Sequence, residues 1–131
     1  MAIDLADYEE GTEFDGDYAT EILDLRQKLA NLQSHHIANG CRTLIIIEGW
    51  DGAGKGAALR ALGQCLDPRF VRAFHVAEPQ GKETERHFLW RFWKKLPGKG
   101  QISLFERSYY RRVLDERVDG LCSEAEWRRV I

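Results

Sequence analysis

The residues best equipped for chemistry lie together in Leu44-Ile-Ile-Ile-Glu-Gly-Trp-Asp-Gly-Ala-Gly-Lys-Gly56. An apolar run ends at Glu48, a glycine-rich turn follows, and Lys55 opens a stretch, Ala57-Ala-Leu-Arg-Ala-Leu62, with the character of a helix. Strand, glycine loop and helix in that order are the context a phosphate-binding P-loop requires, and Gly49-x-x-x-x-Gly54-Lys55 has its spacing. Backbone N–H groups of such a loop and of the helix start converge on phosphate oxygens, and the lysine adds a mobile charge. Gly49, Gly52, Ala53, Gly54, Lys55 and Gly56 are therefore the candidate phosphate cradle. Gly56 stands where most P-loops carry a Ser or Thr ligand to magnesium. Asp51, inside the loop, is the candidate substitute. A second carboxylate, Glu106, closes the apolar stretch Gln101-Ile-Ser-Leu-Phe105. An acid at the end of a strand beside a P-loop can hold Mg2+ or its water.

Several elements must position these groups. Ile22, Leu25, Leu29 and Leu32 recur at threes and fours, which predicts a helix over 17–38 that lays this stripe on a sheet, with Asp17 as cap and Gly40 as stop. Strands are expected over 42–47, 71–77 and 101–105. The three isoleucines of the first suggest burial on both faces, as in a parallel sheet. A helix is expected from the loop to residue 65, and another over 84–95. The second presents Phe88, Leu89, Phe92, Trp93 and Leu96 as a core-facing stripe and stops at Pro97-Gly98. Ser123-Glu-Ala-Glu126 has capping-box spacing and starts a last helix.

The chain has 131 residues, 44% of them apolar, enough for one domain with one core. No apolar run is long enough to span a bilayer, and the first residues carry neither a basic region nor an apolar signal core. A cytoplasmic protein with no membrane partner is expected. Cys41, Cys65 and Cys122 are odd in number and far apart, as reduced thiols would be. Nine of the 21 carboxylates fall in residues 1–24, which hold no Lys or Arg, so a basic body follows an acidic start. Residues 1–16 read as a flexible leader, and 17–131 as the domain. Between Lys82 and Arg112 nine Lys or Arg face three Glu, which suits a polyanionic ligand rather than routine surface. The residues alone leave three readings: a phosphotransferase acting on a polyanionic substrate, a P-loop kinase of a nucleoside or small metabolite with ATP as donor, and a domain that binds such an anion without chemistry.

Taken together, Glu48-Gly-Trp-Asp-Gly-Ala-Gly-Lys-Gly56, Phe88-Leu-Trp-Arg-Phe-Trp93, Leu96-Pro-Gly98 and Phe105-Glu-Arg-Ser-Tyr-Tyr110 resemble the family-2 polyphosphate kinases from about Leu25 onward. Leu66-Asp-Pro-Arg69 and Arg91-Phe-Trp93 look most like the tandem-domain members that phosphorylate AMP. In that family a glycine after the lysine is usual. The resemblance implies an α/β protein: a P-loop kinase-like three-layer α/β/α unit with a parallel sheet, here incomplete. Three strands are expected, the third inserted between the first two, with strand 1 left as an edge that invites self-association. It implies Mg2+-assisted phosphoryl transfer between inorganic polyphosphate and a nucleoside mono- or diphosphate, AMP or ADP, with no nucleic-acid partner. It also implies that Asp51 and Glu106 organise the metal and that Lys55 holds phosphate. Arg107 and Arg112 fall where the family has phosphate-contacting arginines, and Arg60 where it commonly has a lysine. Glu106 stands where active members carry Asp. The family continues past the last residue here into a helical lid, so the 131-residue chain is expected to be truncated before the lid, to bind phosphate polymers and to transfer phosphate slowly or not at all.

Overall fold

The structure is a computed structural model that describes residues 14–111, 117–120 and 122–128. Of the expected leader, residues 1–13 lie outside the described residues, as does Arg112. Three β-strands, β1 (Thr43–Ile47), β2 (Val71–His75) and β3 (Ile102–Glu106), form one parallel sheet in the order β1-β3-β2. The third strand is thus inserted between the first two, as expected, and β1 and β2 are the edges. Glu106 belongs to β3, one residue beyond the expected end.

The central strand holds the core. Ile102, Ser103, Leu104 and Phe105 are all buried, whereas β1 is only half-buried along its length. Burial of strand 1 on both faces is therefore corrected. Its isoleucines have a neighbour strand on one side only, and the position with two neighbours went to β3. Alternation along β3 divides the core in two. Ile102 and Leu104 pack with Leu66, Leu29, Leu59 and Leu62, while Phe105 packs with Val76, Phe92, Phe74 and Tyr109.

On the first face lie α1 (Tyr18–Ala38) and α2 (Lys55–Cys65). Asp17 caps α1, accepting from the N–H groups of Ala19 at 3.1 Å and Thr20 at 3.4 Å and from the Thr20 hydroxyl at 2.6 Å. The expected apolar stripe does not dock as a whole: Leu25 and Leu32 are exposed. The docked face runs through Leu29, Gln33, His36 and Ile37. The buried Gln33 amide donates to the Asp67 carbonyl at 3.3 Å and accepts the Asp67 N–H at 2.7 Å. His36 Nε2 meets Thr43 Oγ1 at 2.9 Å. These polar anchors have fixed partners and so set the rotation of the helix, turning Leu25 and Leu32 outward.

The second face departs further from expectation. The helix over 84–95 is replaced by a 3-10 turn (Gly81–Glu83), irregular chain and one helical turn, α3 (Trp90–Trp93). Bonds of the i to i+3 kind dominate, among them Thr84 N–H to Gly81 O and Trp90 N–H to His87 O. The Thr84 hydroxyl also donates to Gly81 O at 2.7 Å, a local bond that competes with helix. Arg91, which the helical pattern would leave outside, is buried and donates to Ala77 O at 2.6 Å. Trp93 and Leu96 are exposed, so the aromatic stripe is core only in part. A last helical turn, α4 (Glu124–Trp127), comes after Ser123 as expected. Among the described residues no helix is long and apolar enough to cross a membrane.

Two substitutions probe this packing. Leu104→Ala should cost about 2–5 kcal/mol in urea unfolding, since it empties a fully buried position. Gln33→Leu should cost about 1–3 kcal/mol, because the Asp67 N–H and C=O lose their partners while apolar area is gained. The Thr20 hydroxyl and amide hold the Asp17 carboxyl below its ordinary value, with the Ala19 amide adding to them. A lowered carboxyl stabilises the fold above its unfolded pKa, and that contribution disappears as pH falls through the folded value. Far-UV circular dichroism should therefore show α1 weakening with acid, and less so in Asp17→Asn.

Candidate functional site

The C-terminal ends of the three strands lie side by side. Ile47 and His75 are both direct cross-strand partners of Glu106. Beyond Ile47 the chain turns through residues 48–54 into α2. Gly54, at φ 86°, is left-handed and stands at the N-cap of α2 with no side-chain cap. The N–H groups of the first turn have no carbonyl of their own helix to reach and are left for an anion. A Cβ at Gly54 would meet nothing within 4 Å, so what excludes side chains there is backbone conformation rather than space.

Lys55 is the first residue of α2 and is buried. Its ammonium donates to Gly49 O at 2.9 Å and to Trp50 O at 2.6 Å. The loop is thus closed on its own lysine, with Ala53 N–H bonded back to Trp50 O at 3.2 Å. An ammonium has three donors, and the loop engages two.

Across the cleft, Glu106 Oε2 accepts from His75 Nδ1 at 3.0 Å. The next residue, Arg107, is the one non-glycine among the described residues with positive φ, at 66°. Its N–H is held by Ile47 O at 3.0 Å, and its guanidinium reaches Asp51 Oδ1 at 3.3 Å. A bulky residue in this region of backbone space is uncommon and persists where surroundings over-determine it. Here the backbone bond to β1 and the ion pair to the loop act at both ends of the residue. Ser108, fully buried, donates to the Glu48 carboxylate and accepts from Tyr110 N–H at 3.2 Å, tying the turn after β3 to the end of β1.

These groups enclose a cleft of about 360 Å3 lined by Asp51, Gly52, Gly54, Lys55, Gly56, Arg60, His75, Glu106 and Arg107. Most of the residues singled out from the sequence are therefore brought together. Gly49 and Ala53 build the loop without lining the cleft. His75 was missed, since nothing in the sequence gives the strand register that places it opposite Glu106. Three cations, Lys55, Arg60 and Arg107, outnumber two carboxylates, which suits an anion. Among the described residues no group of three His, Cys, Asp or Glu could hold a metal by itself. Two carboxylates beside a phosphate cradle do fit a hard cation that draws its other ligands from phosphate and water.

Residues 13–131 match the family model described as polyphosphate kinase 2. The chain is 40% identical over 114 residues to the polyphosphate:AMP phosphotransferase of Pseudomonas syringae pv. tomato, covering 86% of this chain and 23% of that protein. It is 36% identical over 113 residues to the GDP-polyphosphate phosphotransferase of Mycobacterium tuberculosis, covering 86% and 38%. Among solved structures, a polyphosphate kinase 2 from Arthrobacter aurescens superposes with a TM-score of 0.84 at 31% identity, covering 97% of this chain and 47% of that one. In each comparison the chain spans less than half of its relative's length.

Gly54→Ala should force a Cβ into the left-handed region and destabilise the loop by about 1–2 kcal/mol. Gly63→Ala, inside α2 with open space around it, should instead stabilise by about 0.5–1 kcal/mol. Urea melts of both variants check the opposite signs, and only Gly54→Ala should also weaken tripolyphosphate binding.

Proposed function

Since the chain belongs to the polyphosphate kinase 2 family, we propose that it serves phosphoryl transfer between inorganic polyphosphate and a nucleotide, with AMP or ADP as acceptor. The supporting observation is the convergence of Lys55, Arg60 and Arg107 with Asp51 and Glu106 at the open N-terminus of α2. Phosphoryl transfer asks little covalent chemistry of a protein. It needs the reacting oxygens in line and the negative charge neutralised.

In this reading the first-turn N–H groups of α2 receive phosphate oxygens, and Lys55 exchanges its loop carbonyls for phosphate. Arg107 presents a planar donor fork, well matched to phosphate. Arg60 extends the cationic lining. Asp51 and Glu106 would hold Mg2+, which would supply positive charge to offset that of the phosphates. The names of the relatives carry AMP and GDP, so a nucleoside mono- or diphosphate is the acceptor class. A cytoplasmic setting, with Cys41, Cys65 and Cys122 in no disulfide, goes with these substrates.

Titration with polyphosphate tests the cradle. Lys55→Ala should weaken binding about tenfold to a hundredfold, the equivalent of about 1.5–3 kcal/mol for bonds to a charged group. Binding should also fall as salt rises. Unchanged affinity at low salt would remove the cradle from the proposal. Any transfer, followed as ADP or ATP formed from AMP or ADP with magnesium, should depend on polyphosphate and not on added ATP, and Glu106→Gln should abolish it.

A further inference from the structure

Resting on that reading of the cleft, we propose that His75 is a positioning residue, one that fixes the Glu106 carboxylate so that a single oxygen stays turned to the phosphate cradle. His75 ends edge strand β2 and Glu106 ends central strand β3, and the two are direct cross-strand partners. Their side chains meet at 3.0 Å, Nδ1 to Oε2. A carboxylate oxygen only accepts, so the imidazole carries its proton on Nδ1.

With Oε2 engaged, Oε1 is the oxygen on the cradle side. A Cβ built on Gly56 would lie 3.8 Å from Oε1 and 3.6 Å from Arg60 Nη1. Gly56 is the residue after the cradle lysine, so Oε1 stands beside the first turn of α2, where a cation accompanying phosphate would lie. A glutamate side chain has three rotatable bonds, and a tethered carboxylate has far fewer states to lose on binding. His75 supplies the tether from a neighbouring strand, so its position is as rigid as the sheet.

The bland alternative is an exposed surface pair worth little. The His75 side chain is 62% exposed, and such pairs add hardly anything to stability. The two readings differ in what they move. A surface pair changes nothing in the cleft, whereas a positioning residue changes cation affinity and leaves the fold alone.

The test is Mn2+ binding followed by electron paramagnetic resonance, with Mn2+ standing for the hard divalent cation and tripolyphosphate present. His75→Leu should weaken Mn2+ binding about tenfold, as loss of a ligand's hydrogen-bond partner does, with the thermal midpoint little changed. His75→Asn, whose Nδ2 sits where Nδ1 was, should restore most of the loss. Undiminished Mn2+ binding by His75→Leu, in a chain whose native form binds, would overturn the role of His75 and leave the cleft reading standing. Failure of His75→Asn to restore binding would likewise overturn it, pointing to bulk rather than the hydrogen bond. If the native chain holds no Mn2+ even with tripolyphosphate, the reading of the cleft falls and this proposal falls with it.

Discussion

The insertion of β3 between β1 and β2 is the constraint on which the rest depends. It makes the third strand, not the isoleucine-rich first one, the buried centre of the molecule, with Leu104 and Phe105 facing opposite layers. It also aligns the C-terminal ends of three strands, so that Glu106 emerges between Ile47 and His75. Parallel strands deliver their loops to the same edge, and a cleft at that edge results from topology. The carboxylate of β3, the glycine loop after β1 and the imidazole of β2 meet there for that reason alone.

Left-handed residues line the cleft, Gly54 and Arg107 among them. Gly54 takes this conformation freely, whereas Arg107 takes it against the preference of its side chain. The Arg107 N–H bond to Ile47 and the guanidinium contact with Asp51 stabilise the strained turn and join it to the loop. The path of the backbone as it leaves β3 is therefore set by the same residue that supplies a cation to the cleft. Structure and electrostatics are coupled at one position.

The loop is held by internal bonds that an incoming anion would have to exchange. The Lys55 ammonium donates to two loop carbonyls, which ties the glycine loop to the start of α2. A phosphate offers the same ammonium a full negative charge, and charge-assisted bonds are the stronger kind. The open N-terminus of α2 works in the same direction. No side chain caps it, so its first N–H groups satisfy themselves best with an anion. Stability has been left incomplete where binding would complete it.

The glycine loop was legible in the sequence because it is local: the spacing of Gly49, Gly54 and Lys55 is read along one stretch of backbone, and the flanking strand and helix are their neighbours. The acid at Glu106 was legible for the same reason, as the end of an apolar strand, and the strand order was legible once the motifs pointed to a family. What tertiary structure decided is what depends on partners distant in the chain. The rotation of α1 rests on Gln33 and Asp67, 34 residues apart. A polar residue satisfied at such a distance cannot be told from a solvated one by periodicity. The aromatic stretch after Gly81 has helical spacing but folds mostly into turns, because Arg91 is drawn inward by Ala77 O. His75 gains its role only from a cross-strand register with a residue 31 positions on. Local spacing determined the glycine loop and its lysine. The packing of the sheet determined which side chains surround it.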